Sequence, residues 1–155
     1  MQLTLQTDYT LRTLMYLAVR GERVKIAKVA DFYGISAAHV ARVVNQLSRL
    51  GFVRSTRETG GGIEMGRRPE QICIGEVVIA FEGNLHLLDC VGTENVCAIQ
   101  SFCKLLGVLA EAERIQIEYL NSVTLADVLS IRRQRCNEPA KPYVRWMIFT
   151  KQPSC

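Results

Sequence analysis

Three cysteines fall within fourteen residues, at Cys90, Cys97 and Cys103, with six residues in the first interval and five in the second. Thiolates are soft donors suited to iron–sulfur clusters and zinc. The intervals discriminate between these. A structural zinc site takes its ligands as pairs two to four residues apart on tight knuckles, and this segment holds no such pair. Redox thiol pairs are more often two residues apart. A disulfide would leave one thiol over and is disfavoured in a reducing compartment. An iron–sulfur cluster is larger and takes thiolates further apart. Spacing alone therefore favours a cluster, with zinc as the second reading. The fourth ligand is not a nearby cysteine. Cys73 reads as a small apolar residue, and Cys136 and Cys155 lie near the C-terminus without a partner motif. His86 is four residues ahead of Cys90, but a lone loop histidine is more often solvated.

The segment carrying the thiols contains Gly83, Asn84, Asp89, Gly92 and Asn95 and reads as a loop after a helix-like stretch, IGEVVIAFEG. It leads into KLLGVLAEAERIQIEYLN, residues 104–121, which reads as a long helix. Cys103 stands at its start, where the helix dipole favours a thiolate. Leu105, Val108, Ala112, Ile115 and Tyr119 recur at the three-four spacing of a coiled-coil seam. Leu106, Leu109, Ile117 and Leu120 form a second stripe. Two apolar stripes predict two burial surfaces, one on its own domain and one on a partner subunit, as in winged-helix DNA binders that bind two half-sites as dimers; a single wide core face is the other reading. Thr124 and Asp127 are spaced as a capping box for a short final helix.

The N-terminal part has a different character. Residues 1–70 carry eleven Lys and Arg against six Asp and Glu, residues 71–131 two against eight, and residues 132–155 six against one. A basic module beside an acidic middle predicts an anionic partner for the first part. DYTLRTLMYLAVR places Leu11, Leu14, Met15 and Ala18 on one helical face, with Thr7 as N-cap. A second helix, with Ile26, Val29, Ala30 and Phe32 apolar, ends at Gly34. A third starts at Ser36, with Val40, Val43, Val44 and Leu47 as its buried stripe, and ends at Gly51. Strand, glycine turn and strand follow, Gly60, Gly61 and Gly62 supplying the turn.

Helix-turn-helix plus hairpin is a winged helix, whose second helix enters the major groove of double-stranded DNA. The candidate DNA-binding residues are Ser36, Ala37, Ala38, His39, Arg42, Asn45 and Arg49 on the helix, and Arg57, Thr59, Gly61 and Gly62 on the wing. Arg67 and Arg68 flank the wing and suit phosphates.

The expected architecture is mainly α with a small β-hairpin wing: a winged helix-turn-helix over 1–70, a linker helix and cysteine loop over 71–103, a dimerisation helix and short terminal helix over 104–131, and a basic, irregular tail over 132–155. No apolar run is long enough to span a membrane, and MQLTLQTDYT lacks the pattern of a signal peptide. The expected location is the cytoplasm. With two histidines, no P-loop and no Gly-x-Gly-x-x-Gly fingerprint, the sequence does not read as an enzyme.

The segments LQTDYTLRTLMYLA, VADFYGIS and HVARVVNQLSRLGFV, the Arg-x-x-Gly-Gly-Gly wing and the three-cysteine loop together resemble the Rrf-type iron–sulfur winged-helix transcriptional regulators, over residues 1 to about 131. Within that family, NQLSRLG (45–51) and TLADVL (124–129) are similar to segments of the nitric-oxide-sensing repressors. Another branch has a histidine ligand three residues after the third cysteine; here that position is Leu106. The resemblance implies a homodimeric repressor on palindromic operator DNA, with nitric oxide as signal. It implies that Asp8 of the opposite subunit joins Cys90, Cys97 and Cys103 around a 4Fe–4S cluster, 2Fe–2S being the other nuclearity, and that Arg12 orients the carboxylate. Read without the family, Asp8 is equally a first-turn acid on the helix dipole and Arg12 its surface ion pair. Glu58 replaces the first glycine of the family's wing pattern, and Glu64 stands where a basic residue is common, which predicts altered wing contacts. An iron- or redox-responsive regulator of the same family and a zinc-stapled DNA-binding protein are the alternatives.

Overall fold

The computed structural model describes residues 2–56, 61–83, 85–94 and 96–130. Arg57, Glu58, Thr59, Gly60, Asn84, Asn95, Cys136, Cys155 and the rest of the segment 132–155 lie outside the described residues. The expectations placed on them stand as sequence readings only.

Seven α-helices, a hairpin and two 3-10 turns, Pro69–Gln71 and Gln100–Phe102, form the elements of the described residues: α1 Leu5–Arg20, α2 Ile26–Tyr33, α3 Ala37–Arg49, β1 Val53–Thr56, β2 Gly62–Met65, α4 Ile74–Glu82, α5 Asp89–Gly92, α6 Lys104–Ser122 and α7 Leu125–Ser130. The first helix begins a turn earlier than its apolar spacing predicts. Its N-cap is Thr4, whose hydroxyl accepts from the Thr7 N–H, and Thr7 is a buried helical residue instead. Thr10 and Thr13 are also buried, and each hydroxyl donates to the carbonyl four residues back. That pairing is what allows polar side chains on a core face.

Helix α2 stops at Gly34 with φ 65°, the left-handed cap the glycine predicts. The exception on α2 is Phe32, which is exposed rather than buried, its ring lying against Tyr16 and Tyr33. Ser36 caps α3 as expected, and Val40, Val43, Val44 and Leu47 are buried. The hairpin is antiparallel, in the register Val53 to Met65 through Thr56 to Gly62. Val24 adds an antiparallel bridge to Ile63, so the wing is fastened to the α1–α2 connection. This explains Gly62 differently from the turn argument. Its φ is not positive; a Cβ there would stand 2.6 Å from the Val24 carbonyl oxygen.

One core runs through the described chain. Leu14, Val40, Leu47, Phe52 and Ile63 of the winged helix are buried together with Ile72, Val77 of α4 and Leu125 of α7. The capping box at α7 forms as spaced: the Thr124 N–H donates to Asp127 Oδ2 at 2.9 Å and the Asp127 N–H to Thr124 Oγ1 at 3.2 Å. Helix α6 packs along α4, where a Cβ on Gly75 would collide with the Asn121 side chain. No helix among the described residues is long and apolar enough to cross a membrane.

Candidate nucleic-acid interface and cysteine loop

The outer face of α3 follows directly from its amphipathic spacing. With the valines and Leu47 turned inward, Ser36, Ala37, Ala38, His39, Arg42, Asn45 and Arg49 are all exposed. The Ser36 hydroxyl accepts from the His39 N–H at 3.3 Å and lies 3.0 Å from His39 Nδ1. That leaves Nε2 as the histidine's group for another partner. The His39 ring centroid is 5.9 Å from that of Tyr9 on α1. A groove of about 410 Å³ separates α3 from the wing, with Lys25, Asn45, Ser55, Thr56, Gly61 and Gly62 among its walls. Sequence reasoning missed Lys25, because pairings between distant segments, such as the Val24–Ile63 bridge, bring the α1–α2 connection to the wing, and it missed Ser55 and Thr56 of β1 as groove walls.

The wing's charges are partly spoken for. Glu64 receives Arg23 in a two-pronged pair at 3.0 and 3.1 Å, and the guanidinium holds its carboxyl below the usual range. Arg67, which flanks the wing, has partners within the chain. Its guanidinium donates to Glu76 Oε1 at 2.7 Å and to the Gln71 carbonyl, and lies 5.4 Å from the Phe52 ring centre. It ties the wing's base to α4. Arg68 is exposed.

The cysteine segment is more ordered than a plain loop. It holds the helical turn α5, which carries Cys90, and a 3-10 turn over Gln100–Phe102 that delivers Cys103 to the N-cap position of α6. All three thiols are free; Cys97 is exposed, and Cys90 and Cys103 are half-buried. Among the described residues of one chain, no group of three or more His, Cys, Asp or Glu side chains is close enough to hold a metal ion. Asp8 sits in the first turn of α1 and is half-exposed, with Arg12 Nε donating to its Oδ1 at 2.8 Å. Arg12 also lies 5.7 Å from the Tyr33 ring centre, and Asp8 is the main cause that raises its pKa.

His86 is not simply solvated. Its Nδ1 is 3.0 Å from Glu113 Oε2, and the other oxygen of that buried carboxylate accepts from the Leu87 N–H. A Cβ on Gly92 would collide with the His86 ring, so α5 folds against the imidazole. The signal was in the sequence: Glu113 interrupts the inner stripe of α6 between Leu109 and Ile117. The outer stripe is exposed, with Leu105 57%, Val108 64%, Ile115 53% and Tyr119 55% accessible, and Ala112 open beside them.

The Rrf2 family model, described as iron-dependent transcriptional regulator, matches residues 3–131. The HTH-type transcriptional regulator NsrR of Shouchella clausii is 40% identical over 132 residues, which is 83% of this chain and 89% of that one. NsrR of Bacillus subtilis is 40% identical over 132 residues, 83% of this chain and 90% of its own. Among solved structures, T. potens IscR superposes with a TM-score of 0.70 at 22% identity, covering 94% of this chain and 97% of that one. CymR (YrzC), the global cysteine regulator of B. subtilis, gives 0.66 at 20% identity, covering 84% and 98%. The winged-helix fold is thus shared with these regulators, and the chain belongs to the Rrf2 family of transcriptional regulators.

Proposed function

We propose that the chain is a nitric-oxide-sensing repressor that binds palindromic operator DNA as a homodimer, through winged helices controlled by an iron–sulfur cluster. The observation that carries this reading is the pair of outward-facing sets on one chain. One is the exposed apolar seam of α6, from Leu105 to Tyr119. The other is the three free thiols of the loop that leads into it, Cys90, Cys97 and Cys103. A dimer closed along the seam completes both. The partner subunit would supply Asp8, and Arg12 would orient that carboxylate.

The donor set fits the cluster. Soft thiolates at wide intervals suit iron–sulfur chemistry, and no paired knuckle suits zinc. Cys90, Cys97 and Cys103 would hold it, with Asp8 the harder and weaker ligand. When bound, the cluster would supply iron that reacts with nitric oxide. The chain's own residues would pass the change on. Gln6, two residues before Asp8, donates to Gln46 Oε1 of the recognition helix at 2.7 Å, and Tyr9, one residue after it, lies against His39. Gln46 in turn reaches the Ala80 carbonyl of α4 at 3.4 Å. Movement of the first turn of α1 therefore reaches α3 through direct contacts, as a two-state coupling requires.

On the DNA side, Ser36, Ala37, Ala38, His39, Arg42, Asn45 and Arg49 would face the major groove, and Arg57, Thr59, Gly61 and Gly62 the flanking backbone. The chain regulates rather than catalyses, and works in the cytoplasm. A second reading, an iron-responsive regulator, is favoured by the family's description as iron-dependent. The test is anaerobic purification, visible absorption and iron analysis, followed by nitric oxide titration while operator binding is measured. Iron–sulfur colour that bleaches as DNA is released supports the repressor. DNA release on iron removal but not on nitric oxide supports the second reading. A colourless zinc protein overturns both.

A further inference from the structure

Gln100 is hydrogen-bonded to the backbone of all three cysteines. Its N–H donates to the Cys97 carbonyl at 3.1 Å, and its carbonyl accepts from the Cys103 N–H at 3.3 Å. Its side-chain Nε2 donates to the Cys90 carbonyl at 2.9 Å and to the Thr93 carbonyl at 2.7 Å. Its Oε1 accepts from the Val96 N–H at 3.1 Å. A primary amide has two donor hydrogens and one acceptor oxygen, and all three capacities are used inside this one loop.

The two groups of bonds differ in kind. Those to Cys97 and Cys103 are local turn bonds that any residue at this position makes. Those from the side chain reach back across the interval between Cys90 and Cys97, and only an amide of this length makes them. They close a loop whose apolar members, Val96, Ile99 and Phe102, are exposed and contribute little burial of their own. Fixing such a segment costs backbone entropy. If the loop were slack, that cost would fall on metal binding.

We infer that Gln100 is the positioning residue of the cysteine loop: its side chain ties the backbone of Cys90, Thr93 and Val96 to the turn between Cys97 and Cys103 before any metal arrives, and so sets how tightly the centre is retained. This rests on the metal-centre reading above, and it predicts a loop ordered in the metal-free protein.

Two variants separate the roles. Gln100→Leu removes every side-chain bond. Gln100→Glu keeps an oxygen for the Val96 N–H but has no donor for Cys90 or Thr93. In metal-free full-length protein, amide hydrogen exchange at Val96 is expected to be slow in the wild type, slow in Q100E and fast in Q100L, with α3 amides unchanged in all three. In protein purified with iron, release to a ferrous chelator is expected to be on the order of 10- to 100-fold faster in both variants, the usual effect of losing an outer partner of a metal site. Equal exchange at Val96 in wild type and Q100L overturns the frame. Altered exchange with equal iron release overturns the positioning role. If the wild type holds no iron, the metal-centre reading falls and the positioning role with it, while the exchange experiment still decides whether Gln100 frames the loop.

Discussion

His86 Nδ1 meets Glu113 Oε2 at 3.0 Å, and this contact joins the start of the cysteine loop to the middle of the long helix. Burial alone pushes the Glu113 carboxyl up, but the hydrogen bonds from His86 and the Leu87 N–H outweigh it and hold the pKa below the usual carboxylate range. Glu113 is therefore a buried acceptor for two donors of the loop. Replacing it with Ala strands the Leu87 N–H, and leaving a donor unsatisfied costs about 1–3 kcal/mol. Gln keeps an acceptor and should cost less. His86→Ala removes a partly exposed ring and should cost about 1 kcal/mol or less. Urea unfolding of the three variants checks the order. A His86→Ala loss equal to or above that of Glu113→Ala would show that the carboxylate is not the anchor.

Arg67 and Arg42 should separate stability from DNA binding. Arg67 is held by Glu76, the Gln71 carbonyl and the Phe52 ring. Lys cannot reproduce that planar fork, so Arg67→Lys should lower stability by about 1 kcal/mol. The salt dependence of operator binding should stay as it was. Arg42 is exposed on α3, and Arg42→Ala should do the reverse. If Arg42 contacts a phosphate, the slope of log affinity against log salt falls by about one. If it reads a base, discrimination falls by about 1–3 kcal/mol at one position. Unchanged affinity in Arg42→Ala removes this helix face from the interface.

The contrast between these arginines shows what was legible in the sequence. Amphipathic spacing places a residue on a face, so the buried valines of α3 and the exposed seam of α6 follow from the sequence alone. Capping chemistry is equally local, and Ser36 and the Thr124–Asp127 box form as spaced. Pairings between distant segments are not local. Arg67 with Glu76, Thr7 with Glu82 and Val24 with Ile63 depend on how elements pack, so the ion pair of Arg67 carried no sequence signal and the N-cap role for Thr7 gave way to Thr4. The cysteine loop lies between these cases. Its thiol spacing was plain, but Gln100 carried no signal, because an amide in a polar loop is ordinary until its three partners are known.

The exposed seam gives a direct test of assembly. Val108 is 64% accessible and Ile115 53%. Burying a side chain of this size contributes about 1.5 kcal/mol or more, and a two-fold interface counts it twice. Val108→Glu should therefore raise the dimer dissociation constant on the order of 100-fold, or about 3 kcal/mol. Sedimentation velocity across a dilution series checks it, and circular dichroism should show the helical fold retained. A dimer that survives both Val108→Glu and Ile115→Glu places the interface elsewhere.

The first turn of α1 should loosen in acid. Glu82 Oε1 accepts from the Thr4 N–H at 2.8 Å, from the Thr4 hydroxyl at 3.0 Å and from the Thr7 hydroxyl. Burial raises its pKa, but these bonds win, and the folded value lies below the ordinary 4.5. A carboxyl with a depressed folded pKa binds fewer protons folded than unfolded. Its contribution is then complete above about 4.5 and is lost as pH falls through the lower folded value. Above that window Glu82→Gln should cost about 1 kcal/mol, since a neutral amide oxygen is the weaker acceptor. Below it the variant and the wild type should converge. Amide exchange at Thr7, whose N–H donates to Thr4 Oγ1, and at Asp8, whose N–H donates to the Thr4 carbonyl at 3.1 Å, reports on this turn. Asp8 lies one residue beyond Thr7, so a turn that frays in acid also releases the carboxylate proposed to reach the partner subunit. Exchange at Asp8 that tracks pH identically in the wild type and in Glu82→Gln would place the acid-sensitive group outside this contact.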